Sequence, residues 1–127
     1  MKSNIDYGLF LPIQKAAIAA LQSPREVIDK TRAAYVERID ALINGLNSAG
    51  WHVDKPRATM FVWAPVPDGF GTSEEFVATL FERTNVLVTP GSAFGKSGEG
   101  FVRMALVQTA DVMKEIVERI RPVLQRR

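Results

Sequence analysis

Cysteine is absent from the 127 residues, and histidine occurs once, at His52. The first absence excludes disulfides and thiolate metal ligands. The second leaves no imidazole cluster, so no metal site is expected. Charge of one sign is also lacking: 16 Lys and Arg stand against 14 Asp and Glu, a formal +2. That balance gives no electrostatic footprint for nucleic acid. The local excess at Arg119, Arg121, Arg126 and Arg127 reads as favourable placement at a helix end plus a solvated tail, not as a binding patch. No apolar run is long enough to cross a bilayer and nothing resembles a signal peptide, so a cytoplasmic protein with no membrane partner is expected. Repeats and low-complexity tracts are missing too.

What is present suggests a chain that can bury a moderate core. After the polar, turn-like opening through Gly8, residues from about Leu9 to Leu21 carry a helical pattern that is apolar nearly all round, with Pro12 tolerable in the first turn. A helix of that kind expects cover on most of its surface. Ser23-Pro24-Arg25-Glu26 is a helix start: Ser23 can cap, Pro24 suits the first position and Glu26 completes a capping box. The helix is expected to run to about Ser48, with Gly50 just past its end and an apolar stripe of Val27, Ile28, Tyr35, Ile39, Leu42, Ile43 and Leu46. Its length suits a connector between domains. Strands are expected at Trp51–Asp54, Ala58–Ala64, Val86–Thr89 and Phe101–Val107. Helices are expected after the Thr72-Ser-Glu-Glu75 cap and after Thr109. Pro122 is expected to kink or end the last helix. The fold class is therefore α+β, a small mixed sheet covered on one face by helices and preceded by a helical lead-in.

The stretch from Pro90 to Val107 organises the rest. It holds a glycine-punctuated loop, Pro90-Gly-Ser-Ala-Phe-Gly95, a second turn, Gly98-Glu99-Gly100, and a strand with one charge, Arg103. Alternation sets Arg103 with Phe101, Ala105 and Val107 on one face, and Val102, Met104 and Leu106 on the other. A guanidinium among apolar neighbours is costly without an anionic partner, and it can grip a carboxylate through two parallel hydrogen bonds. Arg103 is thus the candidate ligand for a substrate carboxylate. The plain alternative is a structural ion pair, for instance with Glu99. The glycine loop alone does not have the spacing of a phosphate-binding loop. Tyr7 could reach a ligand but packing is the simpler role. His52 reads as a surface or packing residue. None of Lys2, Lys15, Lys30, Lys55, Lys96 and Lys114 lies in a context suited to a Schiff base.

Four segments in order carry a family resemblance: Lys2-Ser-Asn-Ile-Asp-Tyr-Gly8, Pro56-Arg-Ala-Thr-Met-Phe-Val-Trp63, Val88-Thr-Pro-Gly-Ser-Ala-Phe-Gly95 and Gly98-Glu-Gly-Phe-Val-Arg103. Together they resemble the C-terminal part of class I/II, fold-type I aminotransferases that use pyridoxal phosphate. The Ala58–Phe61 and Ile5–Gly8 versions are similar to the branch holding diaminopimelate, alanine and aspartate aminotransferases. The resemblance implies that Arg103 binds the substrate α-carboxylate. By the same resemblance Ser3, Asn4 and Tyr7 lie near the cofactor of the neighbouring subunit in a homodimer, and Ser92 and Phe94 lie on a loop that approaches the active site. It implies a division into residues 1–22 as a remnant of the large cofactor-binding domain, 23–49 as the interdomain connector, and 50–127 as the small domain. In the family the Schiff-base lysine, the aspartate on the pyridine nitrogen and the phosphate cup lie upstream of these motifs. The chain alone is therefore expected to have no catalytic residue of its own, to bind no pyridoxal phosphate and to be inactive. Its partners would be the missing large domain and, in the assembled enzyme, an amino acid and a 2-oxo acid. A non-catalytic interaction module that reuses the small domain is the alternative, with the apolar lead-in helix as its partner surface.

Overall fold

The computed structural model describes residues 8–125, so Ser3, Asn4 and Tyr7, as well as Lys2, Arg126 and Arg127, lie outside the described residues. The chain divides into two compact units, Met1–Ala33 and Ala34–Arg127.

In the first unit, helix α1 spans Leu11–Leu21, with Pro12 in its first turn and Phe10 at the cap position, offering no side-chain cap. Helix α2, Arg25–Ser48, begins in this unit. No residue of α1 is buried. The apolar surround read from the sequence is thus an exposed one: Leu11, Ile13, Ile18 and Leu21 all face outward. Ser23 does not cap α2. Its hydroxyl donates back to the Ala19 carbonyl at 2.9 Å, and its N–H donates to Ala20. Donating to a carbonyl left open at the end of α1 turns the hydroxyl back toward that helix, and among the described residues no N–H of α2 donates to it.

The second unit is built on a sheet of three strands, β1 (Phe61–Pro65), β2 (Thr89–Pro90) and β3 (Phe101–Ala105), in the order β1-β3-β2. Both pairings are antiparallel, with Trp63 and Thr89 opposite Arg103 on its two sides. This corrects the mixed sheet expected from sequence. The stretch from Gly91 to Gly100 is folded into two 3-10 turns, and a parallel pair would need a longer crossover. Val62, Ala64, Val102, Met104 and Leu106 face the core. They meet Ile39, Leu42, Ile43 and Leu46 of α2, Phe76 and Leu80 of helix α3 (Ser73–Thr84), and Met113, Val117 and Ile120 of helix α4 (Ala110–Gln125). The α+β class and the one-sided helical cover hold.

The ends of these elements follow local chemistry. Helix α2 closes with Trp51 N–H on the Leu46 carbonyl and Gly50 N–H on Asn47, with Gly50 at φ 93°. This is the paired C-terminal arrangement that a glycine beyond the last turn permits, with buried Trp51 against buried Leu46 as its apolar contact. The strand expected at Trp51–Asp54 does not form. The Asn47 side chain takes both backbone groups of Val53, accepting its N–H at 2.9 Å and donating to its carbonyl at 3.2 Å, so no strand partner is needed. The strand expected at Val86–Thr89 shrinks to Thr89–Pro90, where proline ends the supply of donors. Helix α3 has the full capping box between Thr72 and Glu75. Helix α4 runs through Pro122 to Gln125, so of the kink or end expected there the end does not occur. Pro122 forgoes only its own bond to the Glu118 carbonyl, and Val123 beyond it is buried. Arg38 of α2 donates to the Leu106 carbonyl at 3.0 Å, tying the helix to the end of β3.

Candidate substrate-anion site

Arg103 occupies the centre of the middle strand, on the face turned away from the helices, and is half-buried. Two aromatic rings flank it. The guanidinium carbon is 4.3 Å from the centroid of Phe61 on β1 and 4.5 Å from that of Phe94 in the turn Gly91–Phe94. Trp63, the cross-strand neighbour of Arg103, stacks on Phe101 at 5.8 Å and meets Phe94 edge-on at 5.7 Å. The face therefore carries one cation in a setting of four aromatic residues. Ring faces attract the cation but do not saturate its N–H groups, which lie in the guanidinium plane. Among the described residues no hydrogen bond or ion pair engages Arg103, and its donors remain uncommitted.

The rival reading, an ion pair with Glu99, is not what forms. Glu99 accepts from the Ser73 N–H at 2.7 Å, from the Ser73 hydroxyl at 3.0 Å and from the Gly100 N–H at 2.9 Å. These bonds hold its carboxyl below the usual glutamate range, the Ser73 N–H contributing most, then the Gly100 N–H. Ser92 donates to Glu74 at 3.1 Å. The Ser92 hydroxyl is thus engaged with the first turn of α3, while Phe94, two residues on and 51 % exposed, covers the cation. Of the residues singled out by sequence, Arg103 and Phe94 come together. Ser92 shares their turn through its backbone, and Ser3, Asn4 and Tyr7 fall outside the described residues.

The glycine loop is more than a plain turn. Gly91 and Gly98 pass back to back, and a Cβ on either would collide with the carbonyl oxygen of the other. A Cβ on Gly91 would also lie 2.7 Å from the Phe101 carbonyl. Only hydrogen at both positions lets the two arms cross so closely.

By sequence the run Met60, Phe61 and Trp63 reads as core rather than a cofactor box; Phe61 and Trp63 instead lie on the Arg103 face, with Trp63 exposed, and Thr59 drew no reading. Thr59 has φ 77°, a left-handed value that β-branched residues disfavour, and its hydroxyl accepts from the Phe61 N–H at 2.8 Å. The signal available was the alternation of the Phe61–Pro65 strand, which sets Phe61 and Trp63 on the Arg103 face. His52 is exposed, and no cluster of three or more His, Cys, Asp or Glu side chains suited to a metal occurs among the described residues. Lys15, Lys30, Lys55, Lys96 and Lys114 are all exposed; Lys55 pairs with Asp40 and Lys114 with Asp111. Nor is any described helix long and apolar enough to cross a membrane.

The profile of a family described as aminotransferase class I and II matches residues 7–120. An LL-diaminopimelate aminotransferase of Moorella thermoacetica is 48 % identical over 124 residues, which is 98 % of this chain and 32 % of that protein. Among solved structures, a probable N-succinyldiaminopimelate aminotransferase from Thermus thermophilus aligns with a TM-score of 0.85 and 35 % identity, covering 95 % of this chain and 32 % of the other. Apo BacF from Bacillus subtilis aligns with a TM-score of 0.84 and 38 % identity, covering 91 % and 30 %. The chain spans about a third of the length of the curated relatives it matches.

Proposed function

The chain belongs to the class I and II aminotransferase family, and from that premise we propose that it is the carboxylate-binding part of an enzyme moving an amino group between an amino acid and a 2-oxo acid. Residues 50–127 serve as its small domain, 23–49 as the connector and 1–22 as part of the large domain. The relatives' name supports LL-diaminopimelate as the amino donor. The described residues do not fit pyridoxal phosphate, the family's cofactor. A Schiff base needs a buried lysine, and every described lysine is exposed. The cofactor and its lysine belong to the large domain, and the chain alone is inactive. The assembled enzyme is a homodimer, with Ser3, Asn4 and Tyr7 beside the neighbouring subunit's cofactor.

The observation that carries this reading is Arg103: a half-buried cation with two rings beside it and no anionic partner among the described residues. An α-carboxylate meeting the edge of the guanidinium gains two charge-assisted bonds. Apolar surroundings strengthen them by excluding water. The binding energy so gained aligns the reacting carbon of the amino acid. The exposed apolar helix α1 also supports a second reading, a non-catalytic module that docks a partner through that helix.

The deciding experiment joins the chain to a large domain, in one polypeptide or by co-expression, supplies pyridoxal phosphate and follows amino transfer from LL-diaminopimelate to a 2-oxo acid. Arg103→Lys leaves one bond where there were two. A charged hydrogen bond contributes about 1.5–3 kcal/mol, so KM for the amino acid should rise by about 10- to 150-fold. An unchanged KM in Arg103→Met removes Arg103 from the site. Amino transfer by the unassisted chain would overturn the division of labour, and failure of every assembly to transfer would favour the docking module.

A further inference from the structure

The carboxylate reading leaves a question about geometry. Arg103 has a long side chain, and among the described residues no hydrogen bond orients it. What fixes its direction is the pair of rings, and the two are held in different ways. Phe61 belongs to a strand paired directly with β3. Phe94 stands on a loop, and its position depends on whatever holds that loop.

Three devices hold it. The crossing of Gly91 and Gly98 locks the two arms of the loop to each other. Ser92 ties the outgoing arm to Glu74 in the first turn of α3. Glu99 ties the returning arm to Ser73, the first residue of α3, through both the backbone N–H and the hydroxyl, and folds back on Gly100. Ser73 is fully buried, so this end of the tether is rooted in the core. The glycine crossing lies between Glu99 and Phe94, so both belong to one tethered loop.

We infer that Glu99 and Ser73 are positioning residues for Arg103: they clamp the glycine loop to the start of α3, so that Phe94 is pressed onto the guanidinium and its in-plane donors are left facing outward. Neither residue touches Arg103. The inference rests on the carboxylate-binding reading for its purpose, but its geometry is measurable without any ligand. The function of the α3 cap is then twofold, since the turn that starts the helix also aims the cation.

Nuclear magnetic resonance on the 127-residue chain provides the test. The Arg103 side-chain protons lie close to two rings and are displaced by their ring currents. The Trp51 indole N–H, bonded to the Pro65 carbonyl at 2.7 Å, reports separately that the second unit is folded. Phe94→Leu should return the Arg103 signals part of the way to free-arginine positions. Glu99→Ala should move them in the same direction while the Trp51 indole signal stays in place. Ser73→Ala, which removes one of the donors, should move them less. If Glu99→Ala disturbs the Trp51 signal, Glu99→Gln becomes the deciding variant, because it preserves shape while removing the charge and turning one of the two acceptor oxygens into an N–H donor. Arg103 signals unmoved in a folded Glu99 variant, with Phe94→Leu moving them, overturn the positioning role. Failure of carboxylate binding would instead appear as normal Arg103 signals with an unchanged KM in the Arg103→Lys assay, so the two ideas fail separately.

Discussion

Gly45 offers a sharp test of how tightly α2 and α4 pack, because two effects of opposite sign meet there. The residue is inside α2, where alanine in place of glycine should stabilise the helix by about 1 kcal/mol. A Cβ built at that position would lie 2.7 and 2.9 Å from the two γ carbons of Val117 on α4. Comfortable carbon contacts are about 3.5–4.0 Å, so a separation of about 1 Å is required. Val117 cannot swing aside: it is buried, and a valine in a helix is confined to essentially one rotamer. Overpacking of this kind costs about 1–3 kcal/mol, so Gly45→Ala should be neutral to about 2 kcal/mol destabilising despite the better helix former. Urea unfolding followed by near-ultraviolet circular dichroism, which senses buried Trp51, measures the change. Val117→Ala removes both γ carbons. The Cβ that remains would still lie 3.2 Å away, so in that background Gly45→Ala should be clearly less costly than alone and at most about 1 kcal/mol stabilising, giving the double cycle a coupling. A single variant stabilised by the full helix increment, or a cycle with no coupling, would refute the close approach.

Three further outcomes can be checked on the same chain. The lowered pKa of Glu99, due first to the Ser73 N–H, and that of Glu75, due first to the Thr72 N–H, make stability depend on acid. Their contribution should be complete above the ordinary glutamate value and lost as pH falls through the lowered folded values; Glu74, bonded to Ser92, lies in the same turn. Urea midpoints measured at stepped pH should flatten in the Glu75→Gln, Glu99→Gln double variant, and an unchanged acid slope would be contrary to this account. Thr59→Asn keeps a side-chain acceptor for Phe61 and tolerates positive φ better, so it should raise stability by up to about 1 kcal/mol in thermal unfolding; a lower midpoint would show that the threonine methyl matters more than the backbone. Trp51→Phe leaves the Pro65 carbonyl without its donor and should cost about 1–3 kcal/mol in the denaturant midpoint, whereas a neutral result would mean that water replaces the bond.

Local chemistry proved readable where it closes within a few residues. The Thr72–Glu75 capping box, the glycine beyond α2 and the alternation around Arg103 all rest on spacings of five or fewer, and all formed. What escaped was set by partners distant in sequence or by competition between near ones. Glu99 could not be assigned to Ser73, 26 residues away, without the fold, so an ion pair with Arg103 was the natural rival. Asn47 suppressed a strand at Val53 by taking its backbone bonds, which no propensity scale anticipates. Ser23 chose the helix behind it over the one ahead. In the candidate site, alternation found the cation and grouped Phe61 with Trp63 on one strand face, but only the pairing of β1 with β3 brings that face to Arg103.

The three-stranded sheet has a proline in each outer strand, Pro65 in β1 and Pro90 in β2. A proline withholds the donor that an incoming strand from another molecule would need. Growth of this sheet into a fibril is therefore checked on both flanks, and when concentrated solutions of the chain do associate, the contact is expected to leave the sheet as three strands.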